Sequence, residues 1–310
     1  MIARRTFLRG SVAFTLGAVA SPLLATPPAP LGFGFSLYGM KSLPLAEALK
    51  TCAGIGYDNV EFALMSGYAT EPKQLSAAAR HELRGQLSAL GLKLSALMDN
   101  LSLVVDDAAQ GVNLDRIKAA AELAHTLSPA APPVLETVCG GNPAKWDEVK
   151  ERMAERLRAW AEAAAAQKLV VAVKPHVGGA LHTPEGALWL ARQVPSPWIK
   201  LVFDQSHYAL RGLKLADTLP ALIGQSVFIH VKDGAGDAAK FQFLLPGEGK
   251  TDYVDYFTRL KAADYRGAVV VEVSGQIFNR PGYDPIAVAK QCYANLAPAF
   301  AKAGLARLAR

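Results

Sequence analysis

A single (β/α)8 barrel is the fold class that this sequence predicts, and three observations predict it. Short apolar runs alternate with amphipathic, Ala-rich stretches eight times between Leu31 and Ala303, with no second composition zone. The chain has 310 residues, and single barrels commonly occupy about 250. The third observation counts against a doubly wound open sheet. No Gly-rich phosphate turn follows the first apolar run, because Gly32-Phe33-Gly34 opens that run instead of starting a helix.

Taken in order, the chain starts with Arg4-Arg5 ahead of Phe7-Leu8, then an uncharged, largely apolar stretch from Gly10 to Ala25 that contains Ala18-Val19-Ala20. Charged, apolar and small-residue regions in that order make a signal peptide. The paired arginines resemble a bacterial twin-arginine export signal. The apolar run is short, contains Gly17 and breaks at Pro22, so no stable membrane anchor is expected. Residues 26–30, TPPAP, read as a linker, which leaves 31–310 for the barrel. The protein is expected to be exported, to the periplasm, and to fold before export, which lets a cofactor be loaded in the cytoplasm.

The strand candidates are Gly32–Tyr38, Asn59–Leu64, Leu92–Met98, Val134–Val138, Leu169–Pro175, Ile199–Asp204, Ser226–Lys232 and Ala268–Val273. Each is short and nearly continuously apolar, as strands buried on both faces must be. The helix candidates between them are Pro44–Ala53, Lys73–Leu90, Leu114–Leu127, Lys145–Gln167, Pro184–Gln193, Leu215–Ile223, Tyr253–Ala263 and Pro285–Ala303. Pro184 behind Thr183 and Pro285 behind Asp284 are first-turn prolines after good N-caps, and Gly91 is a stop signal.

Hydrophobic residues make up 51% of the chain and charged ones 19%, which supports a sizeable core and excludes general disorder. The formal charge of +6 falls to 30 basic against 27 acidic residues once Arg4, Arg5 and Arg9 leave with the signal. That excess is too weak to argue for nucleic acid. Cys52, Cys139 and Cys292 are odd in number and far apart, so buried free thiols are expected. A homo-oligomer stays open.

In a barrel, polar residues at the C-terminal ends of strands are the candidates for chemistry. Those ends carry Glu61, Asp99 and Asn100, Glu136, Lys174 and His176, Asp204 and His207, His230 and Lys232, and Glu272. Lys174 and His176 are two apart and share a face. Burying this many ionisable groups costs several kcal/mol each, about, unless they are paired or metal-bound, so they are expected to converge. Asp204, His230 and Glu272 stand out, because oxygen and imidazole donors from three successive strands can surround one divalent ion: manganese, zinc or magnesium. Phe33, Phe35 and Tyr38 are expected on an apolar wall of the pocket.

The stretches Val227-Phe-Ile-His230-Val-Lys232-Asp233, Phe203-Asp204-Gln-Ser-His207, Gly247-Glu248-Gly249 with Asp252, and Tyr265-Arg-Gly267 leading to Val271-Glu272 resemble the xylose isomerase-like barrels of sugar isomerases and epimerases. The resemblance covers roughly residues 32–303 and is much more specific in the second half. It implies a metal held by Asp204, His230, Glu272 and a fifth-strand Glu. Here the fifth strand places Lys174 at that position, and Glu136 on the fourth strand is the nearest replacement carboxylate. It implies an acid/base pair too, formed by the fifth- and eighth-strand carboxylates, of which Glu272 remains. His176, His207, Lys232 and Glu248 are the expected substrate contacts.

An ammonium about 4 Å from a divalent ion is repelled by roughly 8 kcal/mol at an effective dielectric of about 20. A neutral Lys at pH 7 costs about 4.6 kcal/mol. Three states of Lys174 follow. The ammonium replaces the metal, the metal stays with Lys174 turned away or neutral, or a neutral Lys174 attacks a carbonyl as a Schiff-base amine. The functional expectation is an exported isomerase or epimerase, or a related lyase, acting on a sugar or keto-sugar through an enediolate. The competing one is a barrel that binds a sugar without turning it over. The DNA-cleaving branch of the same superfamily needs more His and Glu ligands than this chain places.

Overall fold

The computed structural model describes residues 31–308. The expected export signal and linker, residues 1–30, lie outside them. Short runs of Val, Leu, Ile and Phe form β1 (Gly32–Ser36), β2 (Asn59–Ala63), β3 (Lys93–Met98), β4 (Val134–Val138), β5 (Val171–Lys174), β6 (Ile199–Phe203) and β7 (Ser226–Val231). A hairpin of β8 (Asp233–Gly236) and β9 (Phe241–Leu244) precedes β10 (Ala268–Val271). All strands but the hairpin pair in parallel and close into an eight-stranded barrel, with β1 bonded to both β2 and β10.

Outside the barrel lie α1 (Leu45–Ile55), α2 (Ala77–Ala89), α3 (Asp107–Leu127), α4 (Trp146–Gln167), α5 (Pro184–Gln193), α6 (Gln205–Ala209), α7 (Leu215–Leu222), α8 (Tyr253–Ala262), α9 (Gly275–Phe278) and α10 (Pro285–Lys302). Their starts follow local hydrogen bonding. Asp106 accepts from the Ala109 amide, so α3 begins at Asp107, ahead of the expected Leu114. A 3-10 turn at Pro72–Gln74 comes before the Ser76 cap, so α2 begins at Ala77 and not at Lys73. The short α6 and α9 and the hairpin are additions to the sequence reading. No helix among the described residues is long and apolar enough to cross a membrane.

The period-two alternation of each strand sorts its residues into two layers. Outward residues such as Val171, Val173, Val269 and Val271 join the large strand–helix core, while Ala96, Ala172, Val202, Phe228 and Val270 fill the barrel interior. Phe33 packs 5.0 Å from Phe300 and 5.1 Å from Tyr57, and Phe35 lies 5.5 Å from Tyr57. Both rings therefore face the helices, which corrects their expected place on the pocket wall. Gly34, between them, faces inward, where a Cβ would come within 2.8 Å of the Asn59 side chain and backbone. Arg307 ties the end of the described chain to the start of the barrel, donating to Gly56 O at 2.7 Å and Asp58 Oδ2 at 2.8 Å.

Candidate active site

One residue pair beyond the interior apolar layer, the same alternation that buries Ala172, Val202, Phe228 and Val270 brings Lys174, Asp204, His230 and Glu272 into the barrel. Glu61 and Glu136 arrive from β2 and β4 at the same level, and Lys232 follows His230 one pair later. Lys174, Glu136, Lys232, Glu272, His176 and His207 line a cavity of about 230 Å³, with Tyr38, Met98, Asn100, Val138, Phe243, Ser274 and Gly275 completing its wall. A volume at or below the ordinary small-molecule range suits a compact ligand. A larger cavity, about 560 Å³, opens among the opposite strand ends and is lined by no carboxylate or histidine among the described residues.

The charges are closely paired. Lys174 Nζ donates to Glu272 Oε2 at 3.1 Å and to His230 Nδ1 at 2.9 Å, and stands 3.7 Å from Glu136 Oε2. Lys232 Nζ donates to Glu272 Oε2 at 2.5 Å and also bonds Asp204 Oδ2. An ammonium can only donate, so His230 accepts at Nδ1 and carries its proton on Nε2, which reaches Glu61 Oε2 at 2.9 Å. The Val177 amide donates to His207 Nδ1 and the Gly178 amide to His176 Nδ1. Both rings therefore hold their protons on Nε2, and that of His207 faces Asp204 Oδ2 at 3.3 Å.

Protonation follows from these neighbours. Burial opposes the charged forms of Glu272 and Asp204, yet Lys174 and Lys232 around the first, and Lys232 and His207 beside the second, hold both well below the ordinary carboxylate range. Burial lowers Lys174 too, but Glu136 and Glu272 carry it above the ordinary lysine value. Glu136 behaves differently. Burial pushes it up to about 7, against the pull of Lys174 and His230, and its Oε2 has no hydrogen-bond partner. Burial, then the neighbouring His207 and the lysines, lowers His176 to about 2, so it is neutral at any ordinary pH.

Sequence reasoning and structure diverge at a few residues. Glu248 lies exposed, accepting from the Leu245 amide at 3.0 Å and from Gln291 at 3.2 Å, outside the cavity. Its expected contact with substrate is corrected, because its loop turns it toward α10. Asp99 is tied to Arg116, and only Asn100 of that pair lines the cavity. Phe243 was not foreseen. The alternation Phe241-Gln242-Phe243 of β9 was the available signal, and the structure lays Phe243 5.2 Å from His207 and 5.0 Å from Lys232 Nζ.

Asp204, His230 and Glu272 offer donor atoms within 4.8 Å of one another, as do Glu61, Glu136 and His230, which is the spacing of a metal site. The lone pairs of the first set that would face the ion already receive hydrogen bonds from Lys174 and Lys232. Asp204, His230 and Glu272 as placed do not fit a divalent ion in addition to the two ammoniums.

A family model for the xylose isomerase-like TIM barrel matches residues 49–300. An inosose dehydratase of Lactiplantibacillus plantarum is 28% identical over 143 residues, which are 41% of this chain and 46% of that protein. The chain thus spans about half the length of that relative. Among solved structures, the 3-keto-D-glucoside 4-epimerase of E. coli superposes with a TM-score of 0.66 at 18% identity, covering 86% of this chain and 99% of the epimerase. The zinc-bound IOLI protein superposes with a TM-score of 0.71 at 20% identity, covering 87% and 99%. At these identities the superpositions speak for the fold.

Proposed function

The chain belongs to the xylose isomerase-like TIM barrel family, and from that membership and the charge pairing of its cavity we propose that it enolises a small, uncharged keto-sugar, as an epimerase or a dehydratase. The observation that carries this reading is the Glu136 carboxyl, raised to about 7, whose Oε2 accepts no hydrogen bond and lies 3.7 Å from Lys174 Nζ, in a cavity that Lys232 also lines. A base tuned to the working pH next to fixed positive charge is what removal of a proton α to a carbonyl requires.

The steps use residues of this chain. Glu136 takes the α-proton, and the electron pair of the C–H bond moves toward the carbonyl oxygen. Lys174 and Lys232 meet the developing oxyanion with N–H donors. His176 presents a neutral Nε2–H to a hydroxyl, and Phe243 covers an apolar face of the ring. Return of a proton to the opposite face by the lysine ammonium that Glu272 holds there, which then recovers its proton from water while Glu136 gives up the one it took, gives an epimer; transfer of the Glu136 proton to a neighbouring hydroxyl, which leaves as water, gives the dehydrated product. Both ammoniums are committed to carboxylates, and no arginine among the described residues lines the cavity. A phosphate or carboxylate on the substrate would therefore be unmatched, which supports an uncharged one.

A sugar-binding barrel without turnover is the second reading, favoured by the tight pairing of Glu272. Incubation with keto-hexoses, keto-glucosides and inososes in deuterated water separates the two. Deuterium entering next to the carbonyl supports the enzyme; binding without exchange for every member of the panel sinks it. Residues 1–30 are read as a twin-arginine export signal with its linker, and mutation of Arg4 and Arg5 to lysine should retain the protein in the cytoplasmic fraction.

A further inference from the structure

We propose that Lys174 and Lys232 together replace a divalent ion charge for charge among Asp204, His230 and Glu272, so that this set works without a metal and shuts one out. The inference rests on the enolisation reading above and adds what supplies the positive charge. Asp204 and Glu272 bring two negative charges to one point, and two ammoniums answer them. Glu272 Oε2 takes hydrogen bonds from both lysines, at 3.1 Å from Lys174 and 2.5 Å from Lys232. His230 Nδ1, the nitrogen that completes the donor set, takes its own from Lys174 at 2.9 Å.

Neither lysine can swing away to make room. Their side chains are 3% and 2% exposed. Phe243 lies against Lys232, with Nζ 5.0 Å from its ring centre, while Lys174 is enclosed by Glu136, His230 and Glu272. Removing an ammonium from these partners would leave buried carboxylates unpaired. The two positions also divide the work of an ion: Lys232 neutralises Asp204 and Glu272, and Lys174 joins Glu272 to the His230–Glu61 relay. Fixed N–H donors of this kind stabilise an oxyanion without a Lewis acid.

The test reads metal and not turnover. Full-length protein is incubated with Mn²⁺, Zn²⁺ or Mg²⁺, desalted and assayed for metal by mass spectrometry, alongside Asp204→Asn. The expected result is no ion whose retention depends on Asp204; an ion held in stoichiometric amount by the wild type and lost in Asp204→Asn overturns the proposal. Lys174→Glu combined with Lys232→Gln should acquire one Mn²⁺ per chain, with a rise in melting temperature on Mn²⁺ addition. A folded double variant that binds none overturns the proposal as well, and if it does not fold the wild-type comparison decides alone. Failure of the enolisation reading shows instead as absent deuterium exchange, so the two results are separable.

Discussion

Lys174 and Glu272 lie 98 positions apart in sequence and meet across the barrel at 3.1 Å, on an oxygen that Glu272 also shares with Lys232. Lys174→Met removes the longer of these two bonds and leaves Glu272 and Glu136 with less compensation in a buried site. Breaking one partner of a buried pair costs about 3 kcal/mol or more. Urea denaturation at pH 7 should show the midpoint falling accordingly, and deuterium exchange should fall with it.

Glu136→Gln keeps the shape of the side chain and removes the base. Exchange next to the carbonyl should fall by roughly 100- to 10,000-fold, with the melting temperature held within a few degrees. In the wild type the rate should climb as pH rises through about 7, where Glu136 loses its proton. A flat profile across that range would assign the proton to another group.

His207 links pH to stability. Burial and the nearby lysines lower it to about 4, against the help of Asp204, so the folded protein keeps it neutral while the unfolded chain protonates it near pH 6.5. Its contribution is present above about pH 6.5 and is lost as pH falls through about 4, roughly 3 kcal/mol in all. His207→Asn should lack that fall, seen as a smaller difference in urea midpoint between pH 7 and pH 4.5 than in the wild type.

Phe243→Ala opens the wall that β9 lays over His207 and Lys232. A large-to-small change at a buried aromatic costs about 3 to 5 kcal/mol, and the Phe243 amide keeps its bond to Gln276 Oε1 at 2.8 Å. Isothermal titration with a keto-sugar that supports exchange should show weakened binding, and thermal denaturation a lower melting temperature. Unchanged affinity would take Phe243 out of the binding wall.

What the sequence determined by itself was the barrel and the levels of its inward residues. Strands buried on both faces need continuous apolar runs, and the charged residues that end those runs mark the rim of the candidate site, which is why the convergence of Lys174, Asp204, His230 and Glu272 was legible from their positions at strand ends. The start of α3 and the hairpin that carries Phe243 were harder to see. A cap at Asp106 and a short alternation after Lys232 are local signals that compete with stronger neighbours. Tertiary structure alone decided the partners. Which way Phe33 and Phe35 face, that Glu248 turns toward α10, and that Lys232 joins Lys174 on Glu272 all depend on distances across the closed barrel. Periodicity along one strand says which face a side chain takes; only closure of the sheet brings strands far apart in sequence within hydrogen-bond reach of one another.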